Sequence, residues 1–178
     1  MNKFRHVKQI KNYLPSLYDT RYSRVFTFYG VQVNLNKLKS NVLIDNELRQ
    51  ILVTESPHFR CALECLNNDG KTNRILHIDR ASIVEYVNTN SLLHASQYID
   101  YIEKAHPETD AIESFVNFLQ LMQILSRTEE SSSKVCVLVR QRADHTGKNF
   151  WLLIDGLHRS SILLALKKLT VSARVKFP

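Results

Sequence analysis

Long apolar runs are missing from this chain. Nowhere do the roughly 18 consecutive apolar residues of a membrane span occur, and Met1 to Lys11 lacks the apolar stretch of a secretory signal. Glycine and proline are scarce at four each, which argues against collagen-like and low-complexity chains. The three cysteines, Cys61, Cys65 and Cys136, are too few and odd in number for a disulfide framework. They fit reduced thiols, so the expected compartment is the cytoplasm. Neither Gly-x-x-x-x-Gly-Lys-Ser/Thr nor Gly-x-Gly-x-x-Gly occurs, which disfavours a P-loop or a Rossmann nucleotide site.

What is present is a chain of 178 residues, 44% hydrophobic and 23% charged, with the size and composition of one soluble globular domain. Its net charge of +7 is unevenly spread: residues 1–49 carry +6, residues 50–133 carry −6 and residues 134–178 carry +7. Two basic ends around an acidic middle point to a localised anion site where the fold brings the ends together. Solvated surface charge is the plainer alternative.

Periodicity suggests the organisation. Phe4, Val7, Ile10 and Leu14 have helical spacing, stopped by Pro15. Val25 to Tyr29 and Val31 to Leu35 read as strand, with Gly30 as a bend or bulge. The middle reads as helical. Asp45 caps a first helix through Leu48, Ile51 and Leu52, and Ser56-Pro57 starts a second, closed by Asn67-Asn68-Asp69-Gly70. Asp79 caps a third through Ile83 and Val87, Ser91 to Ala105 forms a fourth, and Asp110 to Ser126 a fifth. A polar linker, Glu129 to Lys134, leads to strands at Val135–Val139, Trp151–Ile154 and Val171–Phe177. A turn at Gly147 separates the first two, and a helix from about His158 to Leu169, with Ile162, Leu166 and Leu169 facing the core, precedes the third.

The segment Trp151 to Ser161 carries the most chemistry. An apolar strand runs into Asp155-Gly156 and then directly into a helix, a junction that points free backbone N–H groups outward at the positive end of a helix dipole. Such a junction suits phosphate. Gly156 admits close approach to the backbone, Arg159 offers a bidentate fork, His158 a donor or proton carrier, and Ser160 and Ser161 hydroxyl donors. The plainer alternative makes Asp155 an N-cap, Gly156 a turn residue, and His158 and Arg159 solvated.

Asp155-Gly156-Leu157-His158-Arg159, with its flanking strand, helix and alternating strand, resembles the signature of the ParB/sulfiredoxin superfamily over about Lys134 to Phe177. Val31 to Lys39 resembles the opening strand of those domains. The resemblance implies an α+β fold in which residues 25–40 and 134–178 form a small mixed sheet and 45–128 a large helical insertion, all within a single domain. It implies nucleotide phosphates at the turn from Gly156 to Arg159, with Asp155, His158 and Arg159 around the transferred phosphate; with the hydroxyl donors of Ser160 and Ser161 added, the expected phosphate ligands are Gly156, His158, Arg159, Ser160 and Ser161, and the expected catalytic residues Asp155 and His158. Leu157 stands where sulfiredoxins carry their cysteine, so sulfinic acid repair is not expected. With the chain ending at Pro178, no helix-turn-helix domain is expected either. The Asp-Gly-x-His-Arg form is most similar to the free-serine kinase branch, and similar segments occur in small proteins of bacterial surface polysaccharide clusters.

The expectation is therefore a kinase, or else an NTPase, that uses ATP or another nucleotide with Mg²⁺, the kinase acting on a small hydroxylated metabolite, an amino acid or a sugar. The alternatives are a nucleotide-dependent binding or regulatory protein without transfer chemistry, and a nucleic-acid binder resting on basic charge alone. The oligomeric state stays open. Glu47 and Glu55 are candidates for a second carboxylate, or else solvated helix residues. His58, Cys61 and Cys65 share one helical face, as a zinc site or as buried cysteines. His77-Ile78-Asp79 is a generic metal-like pair. His58 is also a candidate to point into the phosphate site, although capping explains Ser56-Pro57 without it.

Overall fold

A computed structural model describes residues 27–127 and 136–176 of the chain. The helix expected at Phe4 to Leu14, the linker at Glu129 to Lys134 and Phe177 lie outside the described residues. Six strands form one mixed sheet: β1 (Thr27–Asn34), β2 (Lys39–Ile44), β3 (Glu47–Leu52), β4 (Cys136–Ala143), β5 (Asn149–Asp155) and β6 (Thr170–Lys176). Their order is β1-β6-β4-β5-β2-β3. The pairs β4–β6 and β2–β5 are parallel, and the others antiparallel. Strands from the two basic regions thus interleave in a single sheet. β1 carries one extra residue between Phe28 and Val31, around Gly30, where the sequence suggests a bend or bulge.

Among the described residues there are six α-helices, α1 (Pro57–Asn67), α2 (Asp69–Ile75), α3 (Ile83–Thr89), α4 (Leu93–Ala105), α5 (Ala111–Arg127) and α6 (Leu157–Ala165), and three short 3-10 turns, Leu35–Lys37, Val53–Glu55 and Arg80–Ser82. One core joins sheet and helices. Val33, Val139, Leu153, Val171 and Ala173 pack in the same buried cluster as Tyr98, Phe115, Phe118, Leu119 and Ile162. The start of α1 follows from its sequence. Ser56 Oγ accepts from the Phe59 N–H at 3.2 Å and donates to the Val53 carbonyl at 2.7 Å, while Pro57 occupies the first turn.

Two expectations are corrected. Residues 45–52 are not a helix: Asp45 and Asn46 both adopt left-handed backbone, with φ of 53° and 63°, and turn β2 back into β3. Two left-handed residues between paired strands make the tight hairpin turn that Asp and Asn tolerate. The helical layer therefore begins after β3, near Pro57, rather than at residue 45. Asn67 ends α1 where the sequence closes that helix, and a further short helix, α2, starts at Asp69 and contains Gly70. Finally, α6 stops at Ala165, and Leu169 is 56% exposed rather than in the core.

Candidate functional site

The site grows out of the β5–α6 junction. Val139 pairs with Leu153 and Leu138 with Asp155, so Ile154 is an extra residue in β5, a bulge that re-aims the strand just before Asp155. Gly156 follows with φ of 100°. A Cβ there would lie 2.9 Å from Val137 Cγ1, so both the backbone and its neighbour require glycine. The chain then enters α6 with Leu157, His158 and Arg159 in its first turn, where backbone N–H groups have no partner within the helix.

Arg159 is buried, and its Nη2 donates to Asp155 Oδ2 at 3.1 Å. Asp155 keeps 38% of its side chain exposed, so the pair is anchored inside and open at the carboxylate end. His158 Nε2 and the Tyr98 hydroxyl share a hydrogen bond of 2.8 Å. Tyr98, fully buried on α4, stacks on Phe118 at 5.1 Å between ring centroids and so fixes the imidazole. The His158 edge reaches solvent while the ring sits among His58, Tyr98 and Phe118. That surrounding protein first, and then the Arg159 charge, lowers its pKa to about 4 against an opposing pull from Asp155. The direction leaves a neutral imidazole at pH 7.

His58, in the first turn of α1, joins the cluster. Its ring centroid lies 4.8 Å from that of His158, 5.1 Å from Tyr98 and 5.3 Å from Tyr101, each in an edge-on arrangement. It is 4% exposed, and its Nδ1 has no hydrogen-bond partner. Burial, then His158 and His106, hold it well below the usual histidine range. A buried polar atom without a partner costs about 1–3 kcal/mol, which makes His58 the least explained group of the cluster in purely structural terms.

The motif residues therefore divide. Asp155, Gly156, His158 and Arg159 come together at the junction. Ser160 and Ser161 do not face its opening: both are fully buried, their hydroxyls have no partner, and the Ser160 N–H already donates to the Gly156 carbonyl. Small side chains suit that position, because α6 packs closely against α1. Glu47 pairs with Arg49 on strand β3, and Glu55 accepts the Leu52 N–H, so each is engaged locally. Cys61 and Cys65 are free buried thiols with sulfurs 3.9 Å apart, and burial pushes the Cys61 thiol up. Among the described residues no three His, Cys, Asp or Glu side chains gather as metal ligands. Asp79 caps the turn at Arg80–Ser82, accepting from the Ser82 N–H at 3.1 Å.

Sequence reasoning missed Tyr98. The signal was available: a tyrosine within the apolar stripe of Leu92, Ala95, Ile99 and Ile102 buries a hydroxyl that needs a partner. No helix among the described residues is long and apolar enough to cross a membrane. Comparison with known proteins finds no matching family model, no matching curated protein and no matching solved structure.

Proposed function

We propose that the β5–α6 junction binds the phosphates of a nucleotide and that the chain transfers a phosphoryl group to a small hydroxylated molecule. The observation that carries this reading is the left-handed Gly156, which brings Asp155, His158 and Arg159 to one helix start beside a second, unpartnered imidazole, His58. The first-turn N–H groups and Arg159 supply donors for phosphate oxygens. With Nε2 engaged by Tyr98, His158 has Nδ1 left for the ligand. In the transfer, the acceptor oxygen loses its proton to Asp155 or His158 and bonds to phosphorus, while the bond from phosphorus to the leaving phosphate oxygen breaks. Mg²⁺ fits as an ion carried on the nucleotide: Asp155 offers one half-exposed carboxylate, and such ions need only one or two beside the phosphates. When bound, it supplies charge neutralisation of the phosphates. The motif's resemblance to the free-serine kinase branch supports the same reading, as does the interleaving of the basic regions in one sheet.

A second reading, a nucleotide binder without transfer, is favoured by the Asp155–Arg159 ion pair, which engages the carboxylate the chemistry needs. The test is a thermal-shift series with ATP, ADP, CTP and GTP plus Mg²⁺, followed by a screen of amino acids and sugars for ADP release. Stabilisation lost in Arg159→Lys, together with ADP release lost in Asp155→Asn, is the expected outcome. No stabilisation by any nucleotide rejects the site. Binding without turnover selects the second reading.

A further inference from the structure

A recess of about 520 Å³ opens on the sheet at the other end of β5 from the Asp155 turn. Five residues of strand, roughly 17 Å, separate Phe150 from Asp155, so this is a different place from the junction. Four neighbouring strands build it. Register sets Arg142 beside Phe150 across β4 and β5, Lys39 beside Leu152 across β5 and β2, and Asn41 opposite Gln50 across β2 and β3. Alternation along the strands turns these side chains to the face opposite Ser40, Val42 and Leu153. Phe150 and Leu152 form an apolar floor, with Lys39 Nζ 4.6 Å from the Phe150 ring centroid. The volume falls in the range of about 300–1,000 Å³ typical of small-ligand sites.

The charges around this recess decide the ligand class. Asp144 closes its own turn, accepting from the Thr146 N–H, the Thr146 hydroxyl at 2.6 Å and the Lys148 N–H. Those bonds, aided by Lys39, hold its carboxyl below the usual range, so it is an anion that offsets Lys39. Arg142 is exposed and makes no ion pair or hydrogen bond among the described residues. Among the described lining residues Arg142 is therefore the unmatched cation, beside the imidazole of His145, an apolar floor and two side-chain amides. We propose that this recess binds a small aromatic carboxylate. Its carboxylate takes the Arg142 fork, its ring lies on Phe150 and Leu152, and Asn41 and Gln50 meet a polar ring substituent. A phosphate monoester would bring two charges to a single unmatched cation.

The test uses the full chain, amide NMR and three probes: 4-hydroxybenzoate, phenol as ring without anion, and acetate as anion without ring. Expected is saturable 4-hydroxybenzoate binding that shifts amides near Lys39, Arg142 and Phe150. Phenol and acetate should each bind at least about tenfold more weakly, and Arg142→Gln should weaken 4-hydroxybenzoate by about tenfold, one good charged contact. Arg159→Lys should leave this binding unchanged, which separates the recess from the junction. Equal binding of acetate, equal binding of phenol, or affinity indifferent to Arg142→Gln each overturns the proposal. Tighter binding of a ten-residue oligothymidylate on the same amides also overturns it, in favour of nucleic acid.

Discussion

At the scale of single residues, Gly156 and the two histidines each lead to a measurement. An alanine at position 156 meets two penalties at once: the left-handed backbone costs a non-glycine residue about 1–3 kcal/mol, and its Cβ would press on Val137 Cγ1 at 2.9 Å. Gly156→Ala should therefore lower stability in urea by at least that amount; a variant as stable as wild type would show that the turn is not held as described. His58 and His158 titrate in the same direction. Both are lowered in the folded state, so between the unfolded histidine value near 6.5 and the folded values the unfolded chain binds more protons. Their stabilising contribution is fully present above pH 6.5 and is lost as pH falls below that, for His158 toward about 4. The melting temperature followed by circular dichroism should drop across that window. It should drop less steeply in His58→Phe, which keeps a ring among Tyr98, Tyr101 and His158 but has nothing to protonate. Equal slopes for the two proteins would contradict the buried neutral imidazole.

At the scale of elements, local chemistry was legible where it acted alone and illegible where a turn overruled it. Ser56-Pro57 announces α1 because cap and proline both act within one turn, and the capping bond to Phe59 is where the sequence puts it. The Asp155-Gly156 junction is legible for the same reason: an apolar strand, a flexible turn and an amphipathic helix follow one another without a gap. The β2–β3 hairpin hides because Leu48, Ile51 and Leu52 imitate helical spacing. Leu48 is 71% exposed on its strand, so its apolar character says nothing about a core. The decisive residues were Asp45, read as a cap, and Asn46; their left-handed backbone together makes a turn. Similarly, α6 ends early because Lys167 takes a left-handed φ of 61°, a choice that no periodicity in Leu166 to Leu169 reveals. The partners of the site came from elements far apart in sequence. Tyr98 and His58 meet His158 only once α1, α4 and α6 pack together, which a linear reading cannot supply.

At the scale of the whole molecule, the question is whether the helices of residues 57–127 are an appendage or part of the fold. A sheet with no cover on the faces of Val33, Val139, Leu153 and Val171 would leave these residues in water, and α1, α4 and α5, which bury Tyr98 and Phe118 partly against one another, belong to the same buried cluster as those strand residues. Each half needs the other's apolar face, which is the condition for cooperative unfolding. The chain carries a built-in probe for each half. Trp151, the single tryptophan, lies on β5 and packs against the shared core, while most helical residues among those described belong to α1 to α5 and report at 222 nm. Unfolding in urea followed by Trp151 fluorescence and by circular dichroism at 222 nm should therefore give one midpoint and one slope. Two separated transitions, with helical signal lost before Trp151 is exposed, would mean that the helices form a unit of their own. The site would then be held together by a contact between units. Loss of that contact would release His158 from Tyr98 and His58 while leaving Asp155, Gly156 and Arg159 in place on the sheet.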